Sequence, residues 1–168
     1  MAFAGRIYYM KNMETKIIRP DLLQFVIDKL HLFVLLAGGV LYCGLEDMVL
    51  SDFVKAFCIL LGIYLCYGCI YLLSSKFIIT DEQLIYERGV FTRNSDYIEL
   101  YRVVDFKEYR SFLQQIVGLK TVVVYSGDRT HPKLVIPGVQ NREELVKLIR
   151  NRMDYNKKRK GIYEITNR

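Results

Sequence analysis

FVKAFCILLGIYLCYGCIYLL, residues 53–73, is apolar throughout except for a single charge, Lys55. An α-helix of about 21 residues spans roughly 32 Å, which is the thickness of the hydrocarbon core of a bilayer. Core helices of soluble proteins are rarely apolar on every side over such a length. The stretch therefore predicts a transmembrane helix that fixes everything after Ser74 at a membrane surface.

A first span precedes this helix, because residues 30–45 are apolar apart from His31. Since that is short for a crossing, we expect the span to cover about residues 30–50. Arg19-Pro20-Asp21 is typical of a helix start, because proline suits the first turn and an acid complements the helix dipole. Residues 21–33 keep one face apolar and could form a helix that lies in the membrane interface.

The connector between the two spans is short and acidic, so the spans must form an antiparallel hairpin; it contains Glu46, Asp47, Ser51 and Asp52. Basic residues lie before and after the hairpin, whereas only Lys55 lies near the connector. Because positively charged flanks stay on the cytoplasmic side, both termini are predicted to be cytoplasmic.

Composition limits the function classes. The net charge is +6, the pI is near 9.1 and 52% of the residues are hydrophobic. A basic chain with a membrane anchor suggests an anionic lipid surface as the simplest partner, and we expect no nucleic acid. The cysteines all lie in the apolar half, so no disulfide framework or zinc site is predicted for the rest; they are Cys43, Cys58, Cys66 and Cys69. No catalytic or phosphate-binding motif is present, so we expect no enzyme activity and no cofactor.

After Ser74 the hydrophobic period becomes that of short strands. SSKFIIT and LIYERG are predicted strands joined by a turn at Asp81, and Gly89 allows a positive φ at the following corner. Asn94-Ser95 is interpreted as a further turn or bulge. A strand over residues 133–136 is expected to end at Pro137-Gly138.

Helices are predicted at two places in this half. Ser111 is expected to cap a short helix that Gly118 ends. Asn141-Arg142-Glu143-Glu144 is similar to a capping box, and the amphipathic helix that follows should end near Met153. Six or seven short antiparallel strands followed by one amphipathic helix favour a small barrel or sandwich that the helix caps, because such a sheet must cover its open edges. The predicted fold class is a membrane α-helical hairpin plus a mainly-β domain capped by a C-terminal α-helix, as in a pleckstrin-homology (PH) fold.

FIITDEQLIYERGVFTRNSDYIELYRVVDF and SFLQQIVGLKTVVVYSGD resemble the bacterial membrane-anchored PH-like family, whose domain follows a two-helix membrane hairpin. The matching positions are Thr80-Asp81, Leu84-Ile85, Gly89, Ile98-Glu99-Leu100, Arg102, Asp105 and Gly118. The chain departs at Gln83, where Arg is commoner, and at Glu99, where Pro is common. The resemblance covers about residues 30–153 and implies a PH-like fold and a multi-pass protein of the bacterial cytoplasmic (inner) membrane. No motif in it is catalytic.

These patterns divide the chain into four parts. They are a cytoplasmic segment with a possible interfacial helix (1–29), a transmembrane hairpin (30–73), a PH-like domain (74–153) and a basic tail outside the folded domain (154–168). Candidate contacts to the membrane surface or to a partner are basic, because each such residue near an anionic leaflet gains about 1 kcal/mol. They are Lys76, Arg88, Arg93, Arg102, Lys157, Lys158, Arg159 and Lys160. Arg102 could instead pair with Asp105, and the tail residues could simply be solvated.

The predicted function is that of a non-enzymatic integral membrane protein that presents a cytoplasmic PH-like domain as a protein-interaction or assembly module. Its partner would be another protein or a second copy of the chain, and the 13 tyrosines suit an adhesive surface. Two alternatives stay open. One is a module that senses anionic lipid headgroups, and the other is an accessory subunit of a membrane transport or secretion complex.

Overall fold

The computed structural model describes residues 14–44 and 50–161. Strand β1 (Lys16–Ile18) precedes the helices α1 (Leu22–Cys43) and α2 (Ser51–Ser74). The chain continues with β2 (Lys76–Ile79), β3 (Gln83–Arg88), β4 (Asn94–Glu99), a 3-10 turn (Leu100–Arg102), β5 (Val103–Tyr109), α3 (Phe112–Val117), β6 (Leu119–Ser126), β7 (Lys133–Gln140) and α4 (Leu145–Arg159). The acidic connector residues Glu46 and Asp47 lie outside the described residues.

Helices α1 and α2 form an antiparallel hairpin, and both are long and apolar enough to cross a membrane. The two helices approach closely at Gly68, where a Cβ would lie only 2.9 Å from the Phe25 ring. The absence of a side chain at Gly68 permits this approach. The rest of their surface faces outward: the most apolar window of α1 has no buried residue, and that of α2 is 11% buried. Exposed apolar surface of this extent is typical of sites that contact a membrane or another protein.

The first helix starts earlier than its apolar run. Asp21 is its N-cap, since the carboxylate accepts a hydrogen bond from the Leu23 amide at 2.9 Å. From Leu22 to Cys43 the helix is continuous, and its first turns include Gln24 and Asp28, which the structure keeps helical. The expected start near residue 30, with a separate interfacial helix before it, therefore differs from the structure, because no helix breaker lies between the two parts.

The predicted PH-like architecture is confirmed. The described part of the chain forms one four-stranded antiparallel sheet, β1-β2-β3-β4, and one three-stranded sheet, β5-β6-β7. The two sheets enclose a core to which α4 contributes Leu145, Ile149 and Met153. A helix that covers the open end of a small sandwich removes apolar surface that the sheets alone would expose.

The hairpin is inserted within the sheet. Strand β1 pairs antiparallel with β2, with Lys16 opposite Ile79 and Ile18 opposite Phe77. The chain thus enters the domain, leaves for α1 and α2, and returns to the neighbouring strand. A division that starts the domain at residue 74 leaves out this strand, because a three-residue strand is too short to show a period.

The last helix is longer than its apolar stripe. It begins at Leu145 with no side-chain cap, so the expected capping box at residues 141–144 is wrong. It ends at Arg159 rather than near Met153. The extra turns are held by Asn156, whose amide donates to the Asp81 carbonyl oxygen. Residues 154–159, which were expected to belong to a tail outside the domain, are therefore part of it.

Two turns also differ from expectation. Asn94 and Ser95 begin strand β4 instead of forming a turn, and the chain reverses over residues 89–93. Strand β7 continues through Pro137 and Gly138, because the register shift opposite Thr121 of β6 leaves room for one extra residue on β7. In contrast, Ser111 and Gly118 do bound α3 as predicted: Ser111 forms a capping box with Gln114.

Candidate functional site

A polar pocket of about 210 Å³ lies where the hairpin joins the sheet. It is lined by Arg19, Leu73, Ser74, Lys76, Glu87, Arg88 and Arg93. Strand register brings these residues together, because Lys76 is opposite Glu87, and Arg88 is opposite Asn94. The strands thus place the start of β2, the end of β3 and the start of β4 beside the last turn of α2. We call this the hairpin-base pocket.

The charges of the hairpin-base pocket are only partly balanced. The Lys76 ammonium lies 2.8 Å from the Glu87 carboxylate, and the Arg88 guanidinium lies 3.1 Å from that of Asp96. Within residues 14–44 and 50–161, neither Arg19 nor Arg93 has an ion-pair partner. The pocket therefore keeps a positive excess, and it is open to an anion.

A tight turn over residues 89–93 forms one side of the pocket. Gly89 has φ +116°, and a Cβ there would lie 1.9 Å from the Thr92 carbonyl oxygen, so only glycine fits. The positive φ predicted at Gly89 is confirmed. The turn projects Phe91, whose surface is 90% exposed, at the end of the domain from which the hairpin leaves.

Helix α1 is clamped to the domain by polar groups. The Asp21 amide donates to the Gly138 carbonyl oxygen at 3.1 Å. The buried Gln114 amide nitrogen donates to the side-chain oxygens of Gln24, at 2.8 Å, and Thr121, at 2.7 Å. These hydrogen bonds hold α1 in one position against the domain. If a buried polar group moved away from its partner, it would lose the hydrogen bond and would also be left unsatisfied away from water. The hairpin and the domain therefore have a defined mutual orientation.

A second, larger surface is a groove of about 990 Å³ between β1 and α4. Its floor includes Ile18, Leu145 and Leu148, and its rim is charged. Arg152 closes one end: its guanidinium donates to the Ile79 carbonyl oxygen at 2.7 Å and to the Glu14 carbonyl oxygen at 2.6 Å. Burial lowers the pKa of Arg152, although the nearby Asp81 opposes this effect. We call this surface the β1–α4 groove.

The remaining basic candidates lie at the opposite end of β2 and β3. Arg159 pairs with Glu82, Lys160 lies 3.4 Å from Glu99, and both cluster near the turn that follows β2. Arg102 pairs with Asp128 at 3.4 Å rather than with Asp105. Strands rise by about 3.4 Å per residue, so this end lies roughly 15 Å from the pocket along β2. Lys157 and Lys158 are on α4, and Lys158 lines the β1–α4 groove.

The groups near the turn that follows β2 lower the pKa of one carboxyl group, that of Glu99. A hydrogen bond from Tyr101, and then the charge of Lys160, hold the pKa of Glu99 below its ordinary value of 4.5. Because the folded-state pKa is lower than the unfolded one, Glu99 stabilises the fold fully above about pH 4.5 and loses that effect as the pH falls through the folded value. Between pH 5 and pH 3 we expect the thermal midpoint of Glu99→Gln to decrease less steeply than that of the wild-type chain. The corresponding difference in the free energy of unfolding is less than about 1 kcal/mol, because the group is exposed.

Circular dichroism melts of the two chains in detergent measure this difference. Tyr101→Phe keeps the carboxylate but removes the hydrogen bond, so it should flatten the same curve to a lesser degree. Parallel melting curves for the wild-type chain and Glu99→Gln over this pH range would contradict the assignment.

Among the described residues, no group of three or more His, Cys, Asp or Glu side chains could hold a metal ion. No disulfide joins the cysteines of the hairpin helices, which are Cys43, Cys58, Cys66 and Cys69. The polar clusters described above are ion pairs, side chains that bind backbone carbonyls, and the buried hydrogen bonds of Gln114.

A family model described as Bacterial PH domain matches residues 31–153, which is most of the chain. The chain belongs to the bacterial PH domain family. Searches of curated proteins and of solved structures found no match. The match to the bacterial PH domain begins inside α1 and leaves out β1, so the strand that makes the hairpin an insertion lies outside the matched residues.

Sequence reasoning on this bacterial PH domain found some of the site residues and missed others. Of the predicted contacts, Lys76, Arg88 and Arg93 do come together, while Arg102, Arg159 and Lys160 lie elsewhere and pair with carboxylates. The sequence places Arg19 at a helix start and among the basic residues that precede the hairpin, but not among the predicted contacts, and it makes no prediction for Phe91. A signal existed for Phe91, because it lies two residues after Gly89 and aromatic residues are not among those that dominate turns.

Proposed function

We propose that this bacterial PH domain protein is a non-enzymatic integral membrane protein. It holds its PH-like domain at the cytoplasmic face of the inner membrane, where the domain binds a protein partner as an interaction or assembly module. The observation that carries the proposal is the insertion of the hairpin between paired strands. Only residues 19–21 separate β1 from α1, and only Ser75 separates α2 from β2.

Membrane location is supported by the exposed apolar surface of both helices. The orientation is supported by charge, because Arg19, Lys76, Arg88 and Arg93 all lie at the domain end of the hairpin. Basic residues next to a span stay on the cytoplasmic side. The domain would therefore sit in the cytoplasm, directly against the inner leaflet.

The short connections favour an assembly role over that of a mobile tether. A long linker would let the domain search for ligands at varying distance from the bilayer. Here the Gln24–Gln114–Thr121 hydrogen bonds and the Asp21–Gly138 bond hold the helices to the sheets. A protein bound to such a domain is held at a fixed height and angle above the membrane.

The β1–α4 groove is the surface that we propose for the partner. Strand β1 is at the edge of its sheet, so its outer backbone groups have no neighbouring strand among the described residues. An extended segment of a partner could pair with such an edge while its side chains enter an apolar groove. Leu148 is half-buried on the floor of this groove and suits a probe.

A photoreactive amino acid at position 148 of the full chain, activated in living cells, tests the proposal. We expect a discrete crosslinked product, a partner protein or a second copy of the chain, that mass spectrometry identifies reproducibly. The control carries the probe at Lys107, which is exposed on β5 outside the groove and should give no such product. The change is local, so membrane insertion should be equal in both.

Three results would overturn the proposal. The same product at both positions would mean that the groove is not a specific surface. Crosslinks confined to residues 1–13 of the same chain would mean that the protein itself occupies the groove. Products formed only with periplasmic proteins would overturn the orientation.

A further inference from the structure

We propose that two copies of the chain pair side by side in the membrane through the outer face of the four-stranded sheet. The contact is centred on an apolar row that crosses all four strands. The inference rests on the membrane anchorage put forward above, because the bilayer fixes the orientation of both copies. It concerns a different surface from the β1–α4 groove.

The outer face of this sheet departs from the pattern of a sheet with one face in water. Such a sheet normally alternates apolar residues toward the core with polar residues outside. Here strand register places one apolar residue of each strand side by side on the face that points away from the core, and these are Ile17, Ile78, Ile85 and Tyr97. Their neighbours Ile18, Phe77 and Leu84 enter the core. We call this set the outer apolar row.

The outer apolar row is accessible from one edge of the sheet to the other. Its end residues, Ile17 and Tyr97, are 53% and 54% exposed, and Ile78 and Ile85 between them are half-buried. A continuous exposed apolar patch of this kind is typical of an interaction surface.

A charged row lies beside the outer apolar row, on the side of the hairpin. Lys76 on β2 is opposite Glu87 on β3, and the ammonium group lies 2.8 Å from the carboxylate. The two side chains are 31% and 25% exposed, so both can still contact a neighbouring molecule. The face therefore presents a cation next to Ile78 and an anion next to Ile85.

The membrane restricts how two copies can meet. Both hairpins must enter the same bilayer from the same side, so a two-fold axis that relates the copies has to run along the membrane normal. Strands β2 and β3 run between the hairpin base and the far end of the domain, so each residue meets residues of its own level in the second copy. With the axis between β2 and β3, Ile78 faces Ile85 of the second copy, and Ile17 faces Tyr97.

The same axis brings opposite charges together. Lys76 of each copy faces Glu87 of the other, so the two ion pairs within the copies join into one ring of four alternating charges. A face that is complementary to itself favours a second copy over an unrelated protein as its occupant. Sheets that pack face to face lie about 10 Å apart, and packed helices lie about 8–10 Å apart. Because only Ser75 separates α2 from β2, the two α2 helices can therefore lie side by side above the sheets.

A photoreactive amino acid at position 97 of the full chain, activated in living cells, tests the contact. We expect a product of twice the 19.7 kDa mass of the chain, in which position 97 is joined to the segment around Ile17. The control carries the probe at Val104, which is 68% exposed on β5 in the other sheet and should give little of this product.

A charge placed in the outer apolar row should prevent the pairing. Ile85→Asp should lower the yield of the product at position 97 by about tenfold or more, because the carboxylate would be buried against Ile78 of the second copy without a partner. Val135→Asp places the same charge on β7 in the other sheet and should leave the yield unchanged. Equal amounts of both variants in the membrane fraction show that neither change prevents insertion.

Charge-exchange variants separate the contact between copies from the ion pair within one copy. Lys76→Glu leaves two carboxylates on the face and Glu87→Lys leaves two ammonium groups, so each variant expressed alone should form about tenfold less product. When the two variants are coexpressed with different affinity tags, opposite charges face each other again, and the mixed product should return to the wild-type yield. An ion pair that acts only within one copy cannot give this rescue.

The matched control exchanges the charges of Glu144 and Lys147 on α4, which are also 2.8 Å apart. Glu144→Lys and Lys147→Glu change the net charge by the same amounts, but they lie outside the outer face of the sheet. Each should form the wild-type amount of product alone, with no preference for the mixed product.

Four results would overturn the inference. One is a mixed product no more abundant than the products of Lys76→Glu or Glu87→Lys alone. A second is a product at position 97 that contains another protein, or residues 1–13 of the same chain, since something else would then cover the outer apolar row. A chain that stays in the membrane fraction but gives no doubled product overturns this inference alone. A chain outside the membrane fraction overturns the proposed membrane anchorage as well.

Discussion

Gly138→Ala should lower the thermal midpoint of the chain in detergent by about 6–12 °C, which corresponds to about 3 kcal/mol for a chain of this size. Gly138 has φ +65°, a conformation that costs a residue with a side chain about 1–2 kcal/mol. A Cβ there would also lie 2.8 Å from Gln24 Cβ and 3.1 Å from the Asp21 amide nitrogen. Neither atom is the end of a flexible side chain, so α1 itself must shift. Such overpacking costs about 1–3 kcal/mol more.

Two other glycines separate these contributions. Gly118 has φ +71° but open space around its Cβ position, so Gly118→Ala should show only the cost of the backbone conformation. At Gly127 the nearest atom to a Cβ is the Arg102 carbonyl oxygen at 3.7 Å and φ is ordinary, so Gly127→Ala should change the midpoint little. Equal effects at Gly138 and Gly118 would mean that α1 is not seated against β7 as the structure has it.

Arg152→Ala should destabilise the chain by about 3 kcal/mol and release strand β1. Arg152 is 5% exposed, and its guanidinium is the donor to the carbonyl oxygens of Ile79 and Glu14. Removing a partner from a buried polar group costs about 1–3 kcal/mol for each group left unsatisfied. Because Glu14 lies two residues before the start of β1, we expect the loss of the Arg152 guanidinium to affect β1 first.

Hydrogen exchange of the full chain in detergent measures the effect at each amide. We expect faster exchange at residues 16–18 and at residues 77–79, with α2 unchanged. Arg152→Lys retains the charge but cannot donate to both carbonyl groups in a fork, so it should lie between the wild type and Arg152→Ala. Arg150→Ala, which removes an exposed guanidinium stacked on Phe106, is the matched control. Unchanged protection of β1 in Arg152→Ala would show that β1 does not depend on this side chain.

The hairpin-base pocket and the β1–α4 groove are two separate surfaces of the protein. The hairpin-base pocket lies where α2 meets β2, and the β1–α4 groove lies along the edge strand and the capping helix, which extends to the far end of the sheet. Arg152 links the groove to β1, and the clamp at Gln24 and Gly138 links the domain to α1. A partner in the groove would therefore act on the hairpin and the domain as one rigid unit.

Some elements could be predicted because their signals are local. Long apolar runs identify α1 and α2 without reference to the rest of the chain, and Ser111 and Gly118 bound α3 through bonds to residues within one turn. Strands β2, β3, β5 and β6 show β-branched residues and turn residues in the expected pattern. The end of α4 could not be found in this way, since Asn156 and Arg152 bind carbonyl groups more than 70 residues away in the sequence.

From the amino-acid sequence alone follow the two apolar helices, their antiparallel arrangement and a mainly-β domain capped by a helix, because these depend on hydrophobic periodicity and on residues that start and end elements. Tertiary structure alone decided that β1 joins the sheet, that Arg19 and Arg93 line one pocket, and which basic residues pair with carboxylates. The residues concerned lie far apart in the chain, and only the pairing of strands and the packing of helices bring them together.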